Sequence, residues 1–281
     1  MYDFKVQNKY GDILELTHNP AYVITSIDGI NPPDAVINTT RNANADGSVF
    51  NSSYIDNRVI TVTMAVNSPA EENRIRLYKF FKAKSGCRLF YKNGMRDVYI
   101  DGYVQNFTVG YFEKKEVVQI VVVCPDPLFK STAENITDFS YIDDLLEFPF
   151  ETEEDIPFSE IIQESTATVI NHGDLECGAI FTIRASGAVE NPEIVDTATN
   201  EFFKVNYTLA AGDLLIINTR KKEKSVILRS SGTDTSIIGY MDHGSTWFEL
   251  MPGDNVFYIT ADTGEANIYL SVDVLDQFEG V

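Results

Sequence analysis

The sequence is short of the residues from which most enzyme and metal sites are built: its 281 positions include three cysteines, three histidines and one tryptophan. Cys87, Cys124 and Cys177 are too few for a disulfide framework and fit synthesis in a reducing cytosol. There is no G-x-S-x-G, H-E-x-x-H, P-loop, paired C-x-x-C or EF-hand loop, so no catalytic residue, metal site or cofactor site is assigned. Long apolar runs are missing as well. Nothing approaches the roughly 20 residues of a membrane span, and Met1-Tyr-Asp-Phe-Lys5 lacks an apolar signal region. Cations are scarce: 22 Lys and Arg face 42 Asp and Glu, for a formal charge of -20. Phosphate neutralisation needs clustered Lys and Arg, so this charge argues against a dominant nucleic-acid surface.

What is present is globular, with 44% hydrophobic and 12% aromatic residues. At roughly 150 residues per domain the length suits two cores. Charge divides the chain. Residues 1–130 carry 15 basic and 14 acidic side chains, 131–165 carry 11 acidic and no basic ones, and 166–281 carry 7 basic and 17 acidic. The organisation expected is an N-terminal domain at 1–131, an acidic connector at 132–165 and a C-terminal domain at 166–281. The connector also holds apolar residues, among them Phe139, Tyr141, Leu145 and Phe148, which suggests an extended arm that docks.

The N-terminal part reads as strands. Arg58–Val66 alternates, with Ile60, Val62, Met64 and Val66 on one side. Asn93-Gly94 between two strand patterns predicts a type I′ hairpin turn, and Val117–Val123 predicts a strand buried on both faces. One helix is expected at about 69–84: Ser68 would cap it, Pro69 would open it, and Ser85-Gly86 would end it. Leu77, Tyr78, Phe80 and Phe81 fall on one side of it, and Arg76, Lys79 and Lys82 on the other. That basic side reads as a solvated face or as a contact with an acidic neighbour. From about Thr166 short strands recur between turn signals with no helix between them, including Ser236–Tyr240 and Thr246–Leu250. An antiparallel sandwich or jelly roll follows.

Few residues stand out functionally. His172 and His243 each lie near an aspartate, Asp174 and Asp242, in Gly-containing turns where histidine is ordinary. Arg220-Lys-Lys-Glu-Lys224 reads as a solvated hairpin tip. Trp247 reads as a core aromatic, or alternatively as a stacking platform for a sugar in a carbohydrate-binding accessory protein. The polar, Asn-rich stretch Asn38–Asn57 reads as a long loop. It is either a tolerated excursion or a subunit or lumen contact through Arg41, Asn42, Asn44, Asp46 and Asn51.

An ordered set of short motifs resembles the distal tail proteins of long-tailed bacteriophages. It comprises Ile27-Asp-Gly-Ile30, the Asn-rich stretch, Arg58-Val-Ile-Thr-Val-Thr63, the helix pattern Glu72–Lys84, Tyr99-Ile-Asp-Gly-Tyr-Val104 and the strand ending in Cys124-Pro-Asp-Pro-Leu-Phe129. Asn171-His-Gly-Asp-Leu-Glu-Cys177, Asn191-Pro-Glu-Ile194, Gly212–Ile217 and Trp247 through Asn255 complete it. The resemblance implies a mainly β protein: an N-terminal ring-forming domain with one helix and a galectin-like C-terminal β-sandwich. It also implies a structural, non-enzymatic hub in the virion tail tip, a hexameric homo-oligomer between the tail tube protein and a tail-tip or receptor-binding baseplate protein. DNA would meet it only in transit, and no membrane insertion is implied.

Overall fold

The computed structural model describes residues 2–44, 46–111, 116–139 and 166–281. They form two compact units, Met1–Ala133 with Gln277–Val281, and Glu134–Asp276.

In the first unit the chain forms β1 (Asp3–Asn8), β2 (Ile13–Glu15), β3 (Tyr22–Asp28), β4 (Ala35–Thr40), β5 (Val49–Ile55) and β6 (Arg58–Val66). Helix α1 (Ala70–Phe80) follows, then β7 (Gly86–Lys92), β8 (Asp97–Gly110), β9 (Glu116–Cys124) and β10 (Phe129–Ser131). A sheet runs in the order β2-β1-β7-β8-β9-β6-β3, with β10 paired to β8. Alternate residues of these strands, such as Val6, Ile60, Leu89, Ile100 and Ile120, feed one core that Leu77 and Phe80 of α1 join. A single sheet whose strands all face one core must curl around it. β4 and β5 stand apart as a two-stranded hairpin.

The second unit contains β11 (Asn135–Phe139), β12 (Thr166–Asn171), β13 (Ala179–Ala185), β14 (Val189–Glu190), β15 (Glu193–Asp196) and β16 (Phe202–Lys204). It continues with β17 (Thr208–Leu209), β18 (Leu214–Asn218), β19 (Ser225–Ser230), β20 (Thr233–Ser236), β21 (Gly253–Thr260) and β22 (Ile268–Val274). A six-stranded sheet, β11-β22-β13-β18-β19-β20, packs on a four-stranded one, β12-β21-β15-β16. Phe181 of one meets Phe257 of the other edge-on at 5.2 Å. Two antiparallel sheets over one core make a sandwich, so the mainly β expectation holds. A last strand, β23 (Gln277–Phe278), leaves this unit and pairs with β10 of the first.

Several local expectations are corrected. Asn135–Phe139, assigned to the acidic connector, is strand β11 on β22, and Phe139 packs on the sandwich core. Residues 277–281, assigned to the C-terminal domain, belong to the first unit. The connector's Tyr141, Leu145 and Phe148 lie outside the described residues. The helix is shorter than 69–84. Pro69 is its cap and makes no side-chain capping bond, while the Asn73 amide donates to the Asn67 carbonyl at 2.9 Å. It stops at Phe80 because Phe81 turns into the core, 2% exposed. Tyr78 stays 38% exposed and packs edge-on against Phe107.

The hairpin at Asn93-Gly94 exists, but neither residue has a positive φ. The loop is four residues long, with the Asn93 side chain accepting from the Met95 and Arg96 N–H groups at 2.8 Å each. Positive φ at both central positions occurs instead at Ser231 (50°) and Gly232 (79°), between β19 and β20. β9 is fully buried on one face only: Val118, Ile120, Val122 and Cys124 point inward, while Val117, Val121 and Val123 are half-buried and Gln119 is exposed. Ser236–Tyr240 and Thr246–Leu250 are not strands. The first ends β20 and enters a 3-10 turn, and Leu250 makes an isolated bridge to Cys177.

Candidate assembly surfaces

The stretch Asn38–Asn57 is chiefly a hairpin rather than a loop. β-Branched and aromatic residues at 35–40 and 49–55 pair in register, Val36 with Tyr54 and Thr40 with Val49. The shift between Asn38 and Thr39 leaves Asn51 as a bulge, and its amide donates to the Thr40 hydroxyl at 2.7 Å. Apolar side chains lie on both faces and in water: Ile37 is 63% exposed, Phe50 61% and Tyr54 54%. Arg41, Asn42, Asn44 and Asp46 are exposed around the tip, where with Ala43 they line a shallow, open, polar depression. The polarity of the Asn-rich tip concealed the strands on either side.

Arg76 and Lys79 are exposed on α1, and Lys82 is exposed in the turn beyond it. Among the basic residues of the helix, Arg74 has a defined partner, and composition did not single it out. It grips the Glu116 carboxylate with both oxygens at 2.9 and 3.0 Å.

In the second unit the basic run is neutralised locally. Arg220 donates to Asp273 at 2.9 Å, Lys221 meets Glu249 at 3.1 Å, and the Lys224 ammonium lies 5.5 Å from the Trp247 ring. Trp247 packs edge-on against the buried Phe203 at 4.9 Å. His172 does not join Asp174. Its backbone N–H donates to Asp276 at 3.0 Å, and its ring sits 3.7 Å from that carboxylate. Asp242 accepts from the Gly244 N–H and the Asn206 amide, which hold its carboxyl below the ordinary carboxylate range. The Lys204 ammonium, followed by the Asn191 amide, does the same for Asp262. All these contacts hold loops in place. Burial pushes the Cys87, Cys124 and Cys177 thiols up to about 12, which leaves them protonated and inert. Among the described residues no three His, Cys, Asp or Glu side chains come together to hold a metal.

Arg58, read from the sequence only as the first residue of a strand, is 4% exposed. Its guanidinium donates to the carbonyls of Gly29 (2.6 Å), Asn31 (2.7 Å), Pro127 (2.5 Å) and Glu279 (2.5 Å). Burial draws its pKa down, and neighbouring negative charge opposes that. Gly29 of the Ile27-Asp-Gly-Ile30 motif has φ 87°, and a Cβ there would lie 2.0 Å from the Val59 carbonyl oxygen. The motif is therefore a tight turn laid against β6 beside Arg58.

Residues 172–272 match the family of siphovirus-type tail components, C-terminal domain. No curated protein matches the chain significantly. Among solved structures, SPP1 Dit (gp 19.1), described as a paradigm of the hub adsorption apparatus in phages infecting Gram-positive bacteria, superposes with a TM-score of 0.71 at 15% identity. That match covers 98% of this chain and 99% of the other. A chain of the phage P2 baseplate in its activated conformation with Ca gives a TM-score of 0.59 at 12% identity, covering 100% of both chains. The corresponding Sr structure gives 0.58 at 12% identity, again over 100% of both chains. These matches lend no support to the carbohydrate-binding reading of Trp247. The resemblance read from the ordered motifs is borne out: the chain has the fold of SPP1 Dit along its length, and its residues 172–272 match the siphovirus-type tail component C-terminal domain.

Proposed function

We propose that this protein is a structural hub subunit of a phage tail tip or baseplate, that six copies close into a ring, and that the ring joins the tail tube to tail-tip proteins. DNA passes through the ring's lumen during ejection. The protein carries out no catalysis and acts in the virion, after synthesis in the host bacterial cytoplasm. The observation that carries the assembly reading is the β4–β5 hairpin. An isolated two-stranded hairpin is marginally stable in water, and this one exposes Ile37 on one face and Tyr54 on the other. Packing against a neighbouring subunit removes that apolar surface from water, and ring closure repeats the contact at every interface. The tip residues Arg41, Asn42, Asn44 and Asp46 then line the lumen or meet the adjacent subunit. Exposed Arg76, Lys79 and Lys82 supply a basic surface for an acidic neighbour. The sandwich is the docking platform for the tail-tip partner.

Light scattering over a range of concentrations tests this. A particle of about six times the 31.5 kDa chain supports the ring. The paired change Ile37→Ser and Phe50→Ser should return it to monomer while leaving each unit folded. A ring that survives both substitutions removes the hairpin from the interface. A monomer under all conditions, also in the presence of tail tube protein, overturns the ring itself.

A further inference from the structure

The segment Gln277–Val281 lies in a groove of the first unit that contacts every one of its residues. Gln277 and Phe278 pair as strand β23 with Lys130 and Phe129 of β10. The Phe278 ring lies under the Arg96 guanidinium at 4.2 Å, and it packs against the unit's core. The Glu279 carbonyl accepts from Arg58 Nη2. Gly280 passes so close to Pro32 that a Cβ would lie 2.8 Å from its Cδ and 2.9 Å from its nitrogen. Val281 donates its N–H to the Ile30 carbonyl at 3.2 Å and adds its side chain to the core.

These contacts are of different physical kinds. There is backbone pairing, an aromatic anchor capped by a cation, a charge-assisted bond and a steric demand for glycine. Extended peptides are recognised by the same combination, with main-chain bonds for affinity and pockets at alternate side chains for selection. The groove is also costly when empty. Arg58 is a buried cation with four backbone carbonyls around it, and removal of the segment takes away the acceptor of Nη2. The chain reaches this groove only after the whole second unit, whose root is closed next to it in sequence. There the Asp276 carboxylate, 7% exposed, lies within 3.2 Å of the Asn135 amide.

We infer that Gln277–Val281 is a peptide ligand held in cis, and that its groove recognises the same sequence supplied in trans. The first unit is thereby completed only in a chain that has been made through residues 277–281. The segment works as a strap that keeps unfinished chains from presenting a finished first unit.

Hydrogen exchange tests this on two arms. A chain ending at Asp276 should exchange its amides at 128–131 about tenfold faster than the full chain. Acetyl-Gln-Phe-Glu-Gly-Val should restore protection saturably, and the same peptide with alanine for its phenylalanine or glycine should not. Unchanged exchange on truncation, or equal rescue by the altered peptides, overturns the inference. If the shortened chain does not fold, the full chain decides. Phe278→Ala and Gly280→Ala should each speed exchange at 128–131 about tenfold, with Gln277→Ser within about twofold of the parent. No response to the first two, or the same response to all three, overturns the inference.

Discussion

The two units meet water differently. The first leaves Ile37, Val49, Phe50 and Tyr54 exposed together on one hairpin, whereas the exposed apolar residues of the second are spread over separate segments, at Ile136, Ile170, Ile238, Tyr240 and Met251. The second unit also ties most of its few cations to carboxylates, as in Arg220 with Asp273, Arg229 with Asp234 and Lys204 with Asp262 and Glu193. An apolar patch on a projecting element calls for protein contact, while a surface of paired charges tolerates solvent and confers selectivity on a partner. They are also closed differently. The sandwich completes its core from residues 134–276, but the first unit draws on residues more than 200 positions away, as the 221-residue separation of Arg58 and Glu279 shows.

The contrast breaks most visibly at Arg58. Arg58→Met leaves four carbonyls without their donor and should destabilise the first unit by about 3–5 kcal/mol. Calorimetry should show one of two transitions moving down. If both move equally, the units are not energetically separate. Phe181→Ala is the counterpart in the sandwich. It removes a ring that touches Phe248 at 5.9 Å and Phe257 at 5.2 Å, and it should cost about 3–5 kcal/mol in the other transition alone.

A smaller effect is expected at the β7–β8 loop. Asn93→Ala deletes an acceptor for two backbone N–H groups and should lower the first transition by about 1 kcal/mol. A neutral result would mean that the Lys92–Asp97 pairing alone holds the loop.

The smallest effect is pH dependence in the sandwich. Asp242 and Asp262 have folded-state pKa values held below their unfolded ones. Their contribution is complete above the ordinary carboxylate range and is lost as pH falls through the folded values, so the second transition should drop as pH falls below about 4. Lys204→Met should flatten that drop by removing the main partner of Asp262. An unchanged slope would place the acid sensitivity elsewhere.

Much of the architecture was legible because alternation is a local property. Ile60, Val62, Met64 and Val66 announced β6, and the turn residues between short apolar runs announced the sandwich. The failures have physical causes too. Asn93-Gly94 suits a two-residue turn, but the Asn93 side chain satisfied the backbone in a longer loop, and Ser231-Gly232 took the geometry instead. Val36, Ile37, Val49 and Phe50 carried the strand signal of the hairpin, yet the Asn-rich tip between them outweighed it. The acidity of 131–165 concealed that Asn135–Phe139 forms β11, because charge reports solvation and not pairing. Composition nominated Arg41, Asn42, Asn44, Asp46 and Asn51 of this hairpin as contacts, and the exposure of its apolar residues became visible only in the structure.

By itself the sequence determined the alternating strands, a helix after Pro69 and the division into two cores. Each of these depends on neighbours a few positions apart or on composition. Only the tertiary structure decided which distant segments complete one another: β11 and β22, the hairpin that stands free of the main sheet, and the return of Gln277–Val281 to Arg58. Backbone carbonyls look alike in every sequence, so a site made of four of them leaves no residue pattern to read. It exists only where the fold brings them together.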